Sequence, residues 1–421
     1  MVLEIKISNF FSIKDEVCID FRAANIKSAA ARSLEHNTFW HEKTQVLKTL
    51  VMYGANASGK SNIIKTIRFC HSMVLSSHMH NENSVFGFRP FKFDGLDSQP
   101  SSYSIRFISN RIEYLYTFSL TNNQVVTETL HFYPKGRIKE IFTRDEYRGK
   151  AKSEIYTFGD VIKRPMDVAE NTSNKTLYIS RASQMDRKIP KEIFNYFHNT
   201  FILQYLGFGI SAIEKLSKEN KIQLIQALKI ADSDIVDVKI KLLKQPGKNI
   251  NANLDTLTLT VEEVVQESLQ ITTYHRRDPN RGFDFLTEES QGTIKLFFIM
   301  LTILDIVKNN KILLIDEIEE SLHPKIIAYI FNFFSAGEQA QLLCTTHNTK
   351  FLDLKSLRKD QIYFVNKRED SSTDLYSLYD YSDFRETMDL EKAYLQGRFD
   401  AIPYIEDNPE NIKDLLNEQT A

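Results

Sequence analysis

Cysteine is scarce: Cys18, Cys70 and Cys344 are the only three in 421 residues, far apart and odd in number. Such thiols build neither a disulfide framework nor a zinc cluster, so a reducing, cytoplasmic compartment is expected. An excess of one charge is missing too: 53 Lys and Arg face 55 Asp and Glu, a formal net of -2. That balance excludes a constitutive nucleic-acid coat and a polybasic membrane protein. The longest apolar run, within 296–307, falls short of the ~20 residues a bilayer needs and reads as a core helix. Residues 1–20 alternate apolar and charged side chains and carry no export-signal pattern. Long heptad arrays, repeats and low-complexity tracts are absent as well. Glycine is rare, 14 residues, so each cluster of it needs a reason. What is there suffices for a sizeable core: 42% hydrophobic and 26% charged residues exclude disorder of the whole chain. The length suggests two or three domains.

Leu3, Ile5 and Ile7 alternate with charged neighbours, as on a half-buried strand, and Val17, Ile19 and Phe21 predict a second. An apolar run over 47–52 predicts a buried strand, ending at Gly54 and followed by a helix from Lys60 to about Met73. Tyr103, Ile105 and Phe107, then Tyr114, Tyr116 and Phe118, then Leu130 and Phe132 predict an antiparallel meander. Residues 160–245 read as a mainly helical insertion, with helical periodicity over 190–201 and 211–230. Strands are expected over 236–243, 254–261 and 266–274, and a helix over 294–309. A strand over 312–315, a helix over 324–334 and a strand over 342–345 follow. The fold class is therefore α/β, with a mixed sheet core, an antiparallel lobe and a helical insertion. One domain is read as split into 1–159 and 246–421 around that insertion of 160–245. Residues 381–421 hold ten acidic and four basic side chains.

Gly54-Ala55-Asn56-Ala57-Ser58-Gly59-Lys60-Ser61 fits G-x-x-x-x-G-K-[ST] between a buried strand and a helix. The two glycines let consecutive N–H groups turn to one phosphate, and the helix N-terminus adds partial positive charge. Lys60 is expected to reach the β- and γ-phosphates of ATP, with Ser61 on Mg²⁺; Asn62 completes the nucleotide-binding run. Asp316 and Glu317 end the apolar strand 312–315. There Asp316 would hold Mg²⁺ and Glu317 would act as general base toward water. Ser290 and Gly292 open a second helix and form a second anion site. One nucleotide needs one phosphate loop, so the second site suggests a sandwich in which it covers the γ-phosphate on a neighbouring copy. His347, one strand beyond the acids, is placed to contact that phosphate and position Glu317 and water.

The ordered set of phosphate loop, S-x-G-T signature, Asp-Glu strand, S-L-H-P segment and T-T-H switch resembles the ATP-binding-cassette ATPases of the SMC/RecF/OLD group. Over nearly all of its length, and most weakly across the insertion, the chain resembles AAA family ATPases of the RloA/AbiL type, to which PARIS-type ATPase subunits are related. Residues 289–293, 316–324, 345–348, 358–362, 392–395 and 397–399 carry the resemblance. It implies ATP and Mg²⁺ as cofactors and a homodimer or larger assembly. It also implies work beside a separate effector, a TOPRIM-like or RloB-like toxin or nuclease, in bacterial phage defence. Asn56 matches the family's loop Asn, whereas Phe11 stands where relatives often offer a basic residue. Gln99 is the next glutamine after the first helix.

Nucleic acid is the alternative partner. Residues 135–188 hold 13 basic and 8 acidic side chains, and Arg276, Arg277 and Arg281 form a smaller cluster. Such runs are solvated faces or phosphate tracks, and a RecF/SMC-like DNA repair ATPase would use them. Residues after His347 contain no D-x-D, so a complete TOPRIM nuclease is not expected in this chain. A transporter cassette fits less well, because the stretch from Ser61 to Glu289 is too long.

Overall fold

A computed structural model describes residues 1–203, 210–230, 234–253, 258–320, 322–381, 384–385 and 388–403. The start of the strand expected over 254–261, Ser321 of the S-L-H-P segment, and most of the acidic segment 381–421 lie outside the described residues.

Strands β1 (Val2–Ser8) and β2 (Val17–Asp20) lead to a small hairpin, β3 (Thr38–His41) and β4 (Thr44–Leu47), and then to β5 (Thr49–Gly54). After the helix Lys60–Ser76 come β6 (Ser101–Ser109), β7 (Ile112–Leu120), β8 (Val125–Phe132), β9 (Lys139–Asp145) and β10 (Tyr156–Phe158). Helices follow up to the short β11 (Phe201–Ile202), and two more precede β12 (Ile235–Asn253), β13 (Thr258–His275) and β14 (Asp278–Asp284). The C-terminal part contributes the helix Gln291–Lys308, β15 (Ile312–Ile315), the helix Pro324–Ala336, β16 (Gln341–Thr346), β17 (Ile362–Lys367), β18 (Thr373–Ser377) and the helix Leu390–Leu395.

Two sheets dominate. A seven-stranded antiparallel sheet runs β10-β9-β8-β7-β6-β1-β2, the lobe expected from the alternating segments. A six-stranded sheet runs β11-β15-β16-β5-β17-β18, parallel except at β18. β5, β15 and β16 are buried at every position because both of their faces are covered. Leu50 and Met52 of β5 face the first core, Val51 and Tyr53 the second; Ile312 and Leu314 of β15 oppose Leu313 and Ile315 in the same way.

The segment 160–245, read as one helical insertion, divides in space. The helices Pro165–Glu170, Tyr178–Gln184 and Lys188–Thr200 bury Val168, Ala169, Tyr178, Ile179, Ile193 and Phe197 in the same core as the lobe. The helices Ile210–Glu219 and Lys221–Ile230 instead pack on β12 and on the helix Gln291–Lys308. β12 and β13 pair without interruption from Asp237↔Tyr274 to Asn253↔Thr258, one ribbon in place of separate short strands. At about 3.3 Å per residue the ribbon is roughly 60 Å long.

At least five of the 13 basic side chains in the run 135–188 are engaged internally. Arg144 is fully buried and bonds Glu146 and the Thr176 carbonyl, with Glu128 at 3.9 Å. Arg187 pairs with Asp167, and Lys152, Lys175 and Arg181 donate to backbone carbonyls. Among the described residues, no helix is long and apolar enough to cross a membrane.

Candidate nucleotide-binding site

The loop from β5 to the helix Lys60–Ser76 is shaped by two close approaches. A Cβ at Gly54 would lie 2.3 Å from the Val365 carbonyl oxygen, and one at Gly59 would lie 1.9 Å from Thr373 Oγ1. Gly59 also has φ +111°, in the left-handed region that side chains disfavour. Ala57, with φ 62°, bends the loop between them.

A chain of hydrogen bonds supports this loop from outside. Asn62 Nδ2 donates to Ser12 Oγ at 2.7 Å, Ser12 Oγ and Thr373 Oγ1 are 2.7 Å apart, and Thr373 Oγ1 donates to the Ser58 carbonyl at 3.0 Å. An amide N–H only donates and a carbonyl only accepts, so the direction is fixed and Ser12 donates to Thr373. Asn62, expected on the nucleotide, is thus committed to Ser12. Phe11, with φ 52°, donates its N–H to the Arg89 carbonyl and packs against the first core. Gln99 is exposed; its carbonyl accepts from Asn9 Nδ2.

Lys60 is buried, and its Nζ donates to the Gly54 and Ala55 carbonyls, each at 2.8 Å. Burial pulls its pKa down to about 8, against the opposing pull of Asp316, Glu317 and Glu319. Ser61 is half-buried in the first helical turn. The Ser58 hydroxyl is buried without a protein partner. A buried hydroxyl beside the N-terminus of the helix Lys60–Ser76 fits an anion with acceptor oxygens.

The acids follow β15, which is separated from β5 by β16 in the parallel sheet. Thr345 Oγ1 donates to Asp316 Oδ1 and accepts from the Glu317 N–H, both at 2.7 Å. Glu317 takes φ 52°, and the Ile318 N–H donates to the Thr345 carbonyl at 3.1 Å. His347 follows β16, and its backbone N–H donates to Glu319 Oε1. Burial, and then Lys60, push the His347 imidazole below its ordinary pKa. It is therefore neutral near pH 7.

Part of this set lines one open cleft of about 880 Å³; Lys60, Ser61 and Thr345 are outside its lining. Gly54, Ala55 and Asn56 line it with Glu317, Glu319, Glu320, His347 and Thr349. Tyr394, Leu395, Ile402 and Pro403 close its C-terminal wall. Asp316 follows β15 and is outside the lining of the cleft, and among the described residues no three metal-ligating side chains cluster. One carboxylate with one hydroxyl suits a hydrated Mg²⁺ held mainly by phosphate oxygens, not an all-protein cage.

Ser290 and Gly292 are placed elsewhere. Both are exposed at the start of the helix Gln291–Lys308 and outside the lining of the cleft. Ser290 caps that helix, accepting from the Thr293 N–H at 3.0 Å. Among the described residues nothing requires glycine at 292, where a Cβ would meet only Ser290 Oγ at 3.7 Å. Glu289, just before, accepts from Thr273 Oγ1 and bonds His275 Nε2, tying this start to the base of the ribbon.

Sequence reasoning missed Thr345, Glu319, Ser12 and Thr373. Glu319 had a signal, a third acid two residues after Glu317, and Thr345 lay inside the T-T-H motif. Thr373 had none, because its role comes from contact with a loop over 300 positions away.

Comparison with curated protein sequences found no match. Two solved structures are similar at low identity. One is an SmcHead bound to the C-winged helix domain of ScpA (15% identity, TM-score 0.41, covering 94% of this chain and 99% of that one). The other is an SMC head domain from Thermotoga maritima (13% identity, TM-score 0.40, covering 89% and 98%). Residues 50–353, well over half of the chain, match one family model, and that span contains the phosphate loop, the Asp316-Glu317 strand end and His347. The chain belongs to the family described as AAA domain, putative AbiEii toxin, Type IV TA system.

Proposed function

We propose that this chain is an ABC-type ATPase of the RloA/AbiL kind, a switch that binds and hydrolyses ATP with Mg²⁺ in the cytoplasm. Two copies close around two nucleotides. The switch controls a separate effector, a TOPRIM-like or RloB-like toxin or nuclease, in bacterial defence against phage. The observation that carries this reading is a division of labour. The cleft gathers Gly54–Asn56, Glu317 and His347, while Ser290 and Gly292 stand exposed outside it. Among the described residues none gives Gly292 a reason to be glycine, which suits the close approach of a phosphate held by another copy.

The phosphate loop's N–H groups and Lys60 hold the β- and γ-phosphates once Lys60 leaves the Gly54 and Ala55 carbonyls. Ser61 and Asp316 would hold Mg²⁺, which supplies charge neutralisation at the phosphate oxygens. Glu317 takes the proton of the attacking water, and Thr345 fixes its backbone for that task. Neutral His347 positions the water and the γ-phosphate from the end of β16. Ser290 and Gly292 of a second copy complete the site. ATP shifts the population toward the closed pair by binding it more tightly than the open chain.

Glu317→Gln tests the reading. With ATP·Mg²⁺ this variant accumulates as a closed dimer by light scattering, with hydrolysis lost. Unchanged hydrolysis sinks the assignment of the base. A monomer at saturating ATP sinks the sandwich. A DNA-binding reading is favoured by the exposed Arg276 and Arg277 at the base of the ribbon. It predicts duplex affinity that falls steeply with salt, and copurification with a nuclease subunit favours the effector reading.

A further inference from the structure

We infer that Glu319 is a positioning residue that sets the switch histidine through the backbone N–H of His347. This rests on the reading of the chain as an ATP-hydrolysing switch. Two segments meet at the mouth of the cleft, the turn 316–320 after β15 and the turn 346–349 after β16. Register places them side by side, since Ile315 pairs with Cys344. Besides the bond from Thr345 Oγ1 to Asp316 Oδ1, three backbone N–H groups clip the first turn to the end of β16 and the residue after it: Glu317 N–H to Thr345 Oγ1, Ile318 N–H to the Thr345 carbonyl, and His347 N–H to Glu319 Oε1. The first two serve the acid that activates water. The third is the described bond that reaches the histidine itself.

Its chemistry suits a positioning role. A carboxylate accepting a backbone N–H makes a charge-assisted hydrogen bond, stronger than a neutral one. The turn that carries it is anchored by Ile318, buried in the second core, and by the Glu320 N–H donating to the Glu317 carbonyl at 2.9 Å. Glu319 Oε2 is buried without a protein partner, so this side chain is not anchored by a second bond. Breaking the contact would let the His347 backbone turn and carry its imidazole away from Glu317.

The experiment has a structural arm and a kinetic arm. Amide hydrogen exchange is read at His347 in nucleotide-free wild type, Glu319→Gln and Glu319→Ala. Wild type and Glu319→Gln, which keeps an acceptor oxygen, protect the amide, whereas Glu319→Ala exchanges it about tenfold faster or more. Equal protection in Glu319→Ala, or none in wild type, overturns the inference. In steady-state hydrolysis, Glu319→Ala lowers kcat roughly tenfold or more with KM nearly unchanged, and Glu319→Gln restores most of it. The pair Glu319→Ala with His347→Ala is no slower than His347→Ala alone; additive losses overturn the inference. If wild type hydrolyses no ATP, the switch reading fails, and the exchange arm still decides the role of Glu319.

Discussion

The hydroxyl of Thr373 donates to the carbonyl of Ser58 at 3.0 Å and fills the space that a side chain at Gly59 would occupy. The strand that closes the parallel sheet thus holds the phosphate loop in shape. Thr373→Val keeps the volume but removes the bond at both of its ends. It should destabilise the chain by about 1 kcal/mol and weaken ATP binding severalfold, read by denaturant unfolding and nucleotide titration. Gly59→Ala, facing both the 1.9 Å approach and positive φ, should bind no nucleotide.

Lys60 gives a pH dependence with a definite sign. Its folded pKa of about 8 lies below its ordinary value because burial disfavours the charge. Between about pH 8 and the unfolded value, the unfolded chain binds more protons, so nucleotide-free stability rises with pH in that window. ATP affinity moves the other way, falling as pH passes about 8 and the neutral amine loses its attraction for phosphate. Lys60→Arg should remove the fall, and Lys60→Ala should abolish the thermal shift given by ATP·Mg²⁺.

Gly292→Asp separates stability from activity. A carboxylate in the first turn of the helix Gln291–Lys308 suits the helix dipole, and a Cβ there meets only Ser290 Oγ at 3.7 Å. Melting should be unchanged or slightly improved. In the proposed sandwich the new charge would face the γ-phosphate of the other copy, so hydrolysis should be lost. Mixed with Lys60→Ala, itself inactive, Gly292→Asp should recover part of the activity, since each heterodimer contains one intact site. No recovery argues for a site completed within one chain.

Thr345→Val removes the hydroxyl that serves Asp316 and Glu317 together. Two bonds are lost in a fully buried setting, so a stability loss of about 1–3 kcal/mol is expected. kcat should fall more than nucleotide affinity, because Lys60 and the loop are untouched.

Much of the site was legible in linear form. The spacing of Gly54, Gly59, Lys60 and Ser61 names its chemistry, because a phosphate needs consecutive backbone N–H groups and a cation within one turn. Asp316 and Glu317 were legible because two acids ending an apolar strand need a solvent-facing edge. The long ribbon was not, since β12 and β13 alternate irregularly and Pro246 and Gly247 interrupt the first of them. Nor was the fate of the basic run, because Arg144 reads as a surface charge until Glu146 and the Thr176 carbonyl surround it.

Local chemistry belongs to the chain as written: which residues can cradle phosphate, which strands are buried on both faces, where the lobe begins. Those features depend on neighbours in sequence and on periodicity. Folding in space settled which groups meet. It joined Ser12, Thr373 and Ser58 across more than 300 positions, brought Glu319 to His347, and kept Ser290 and Gly292 out of the cleft. Such contacts follow from strand order and register, which seat β5 between β16 and β17 and leave the signature helix exposed at its start.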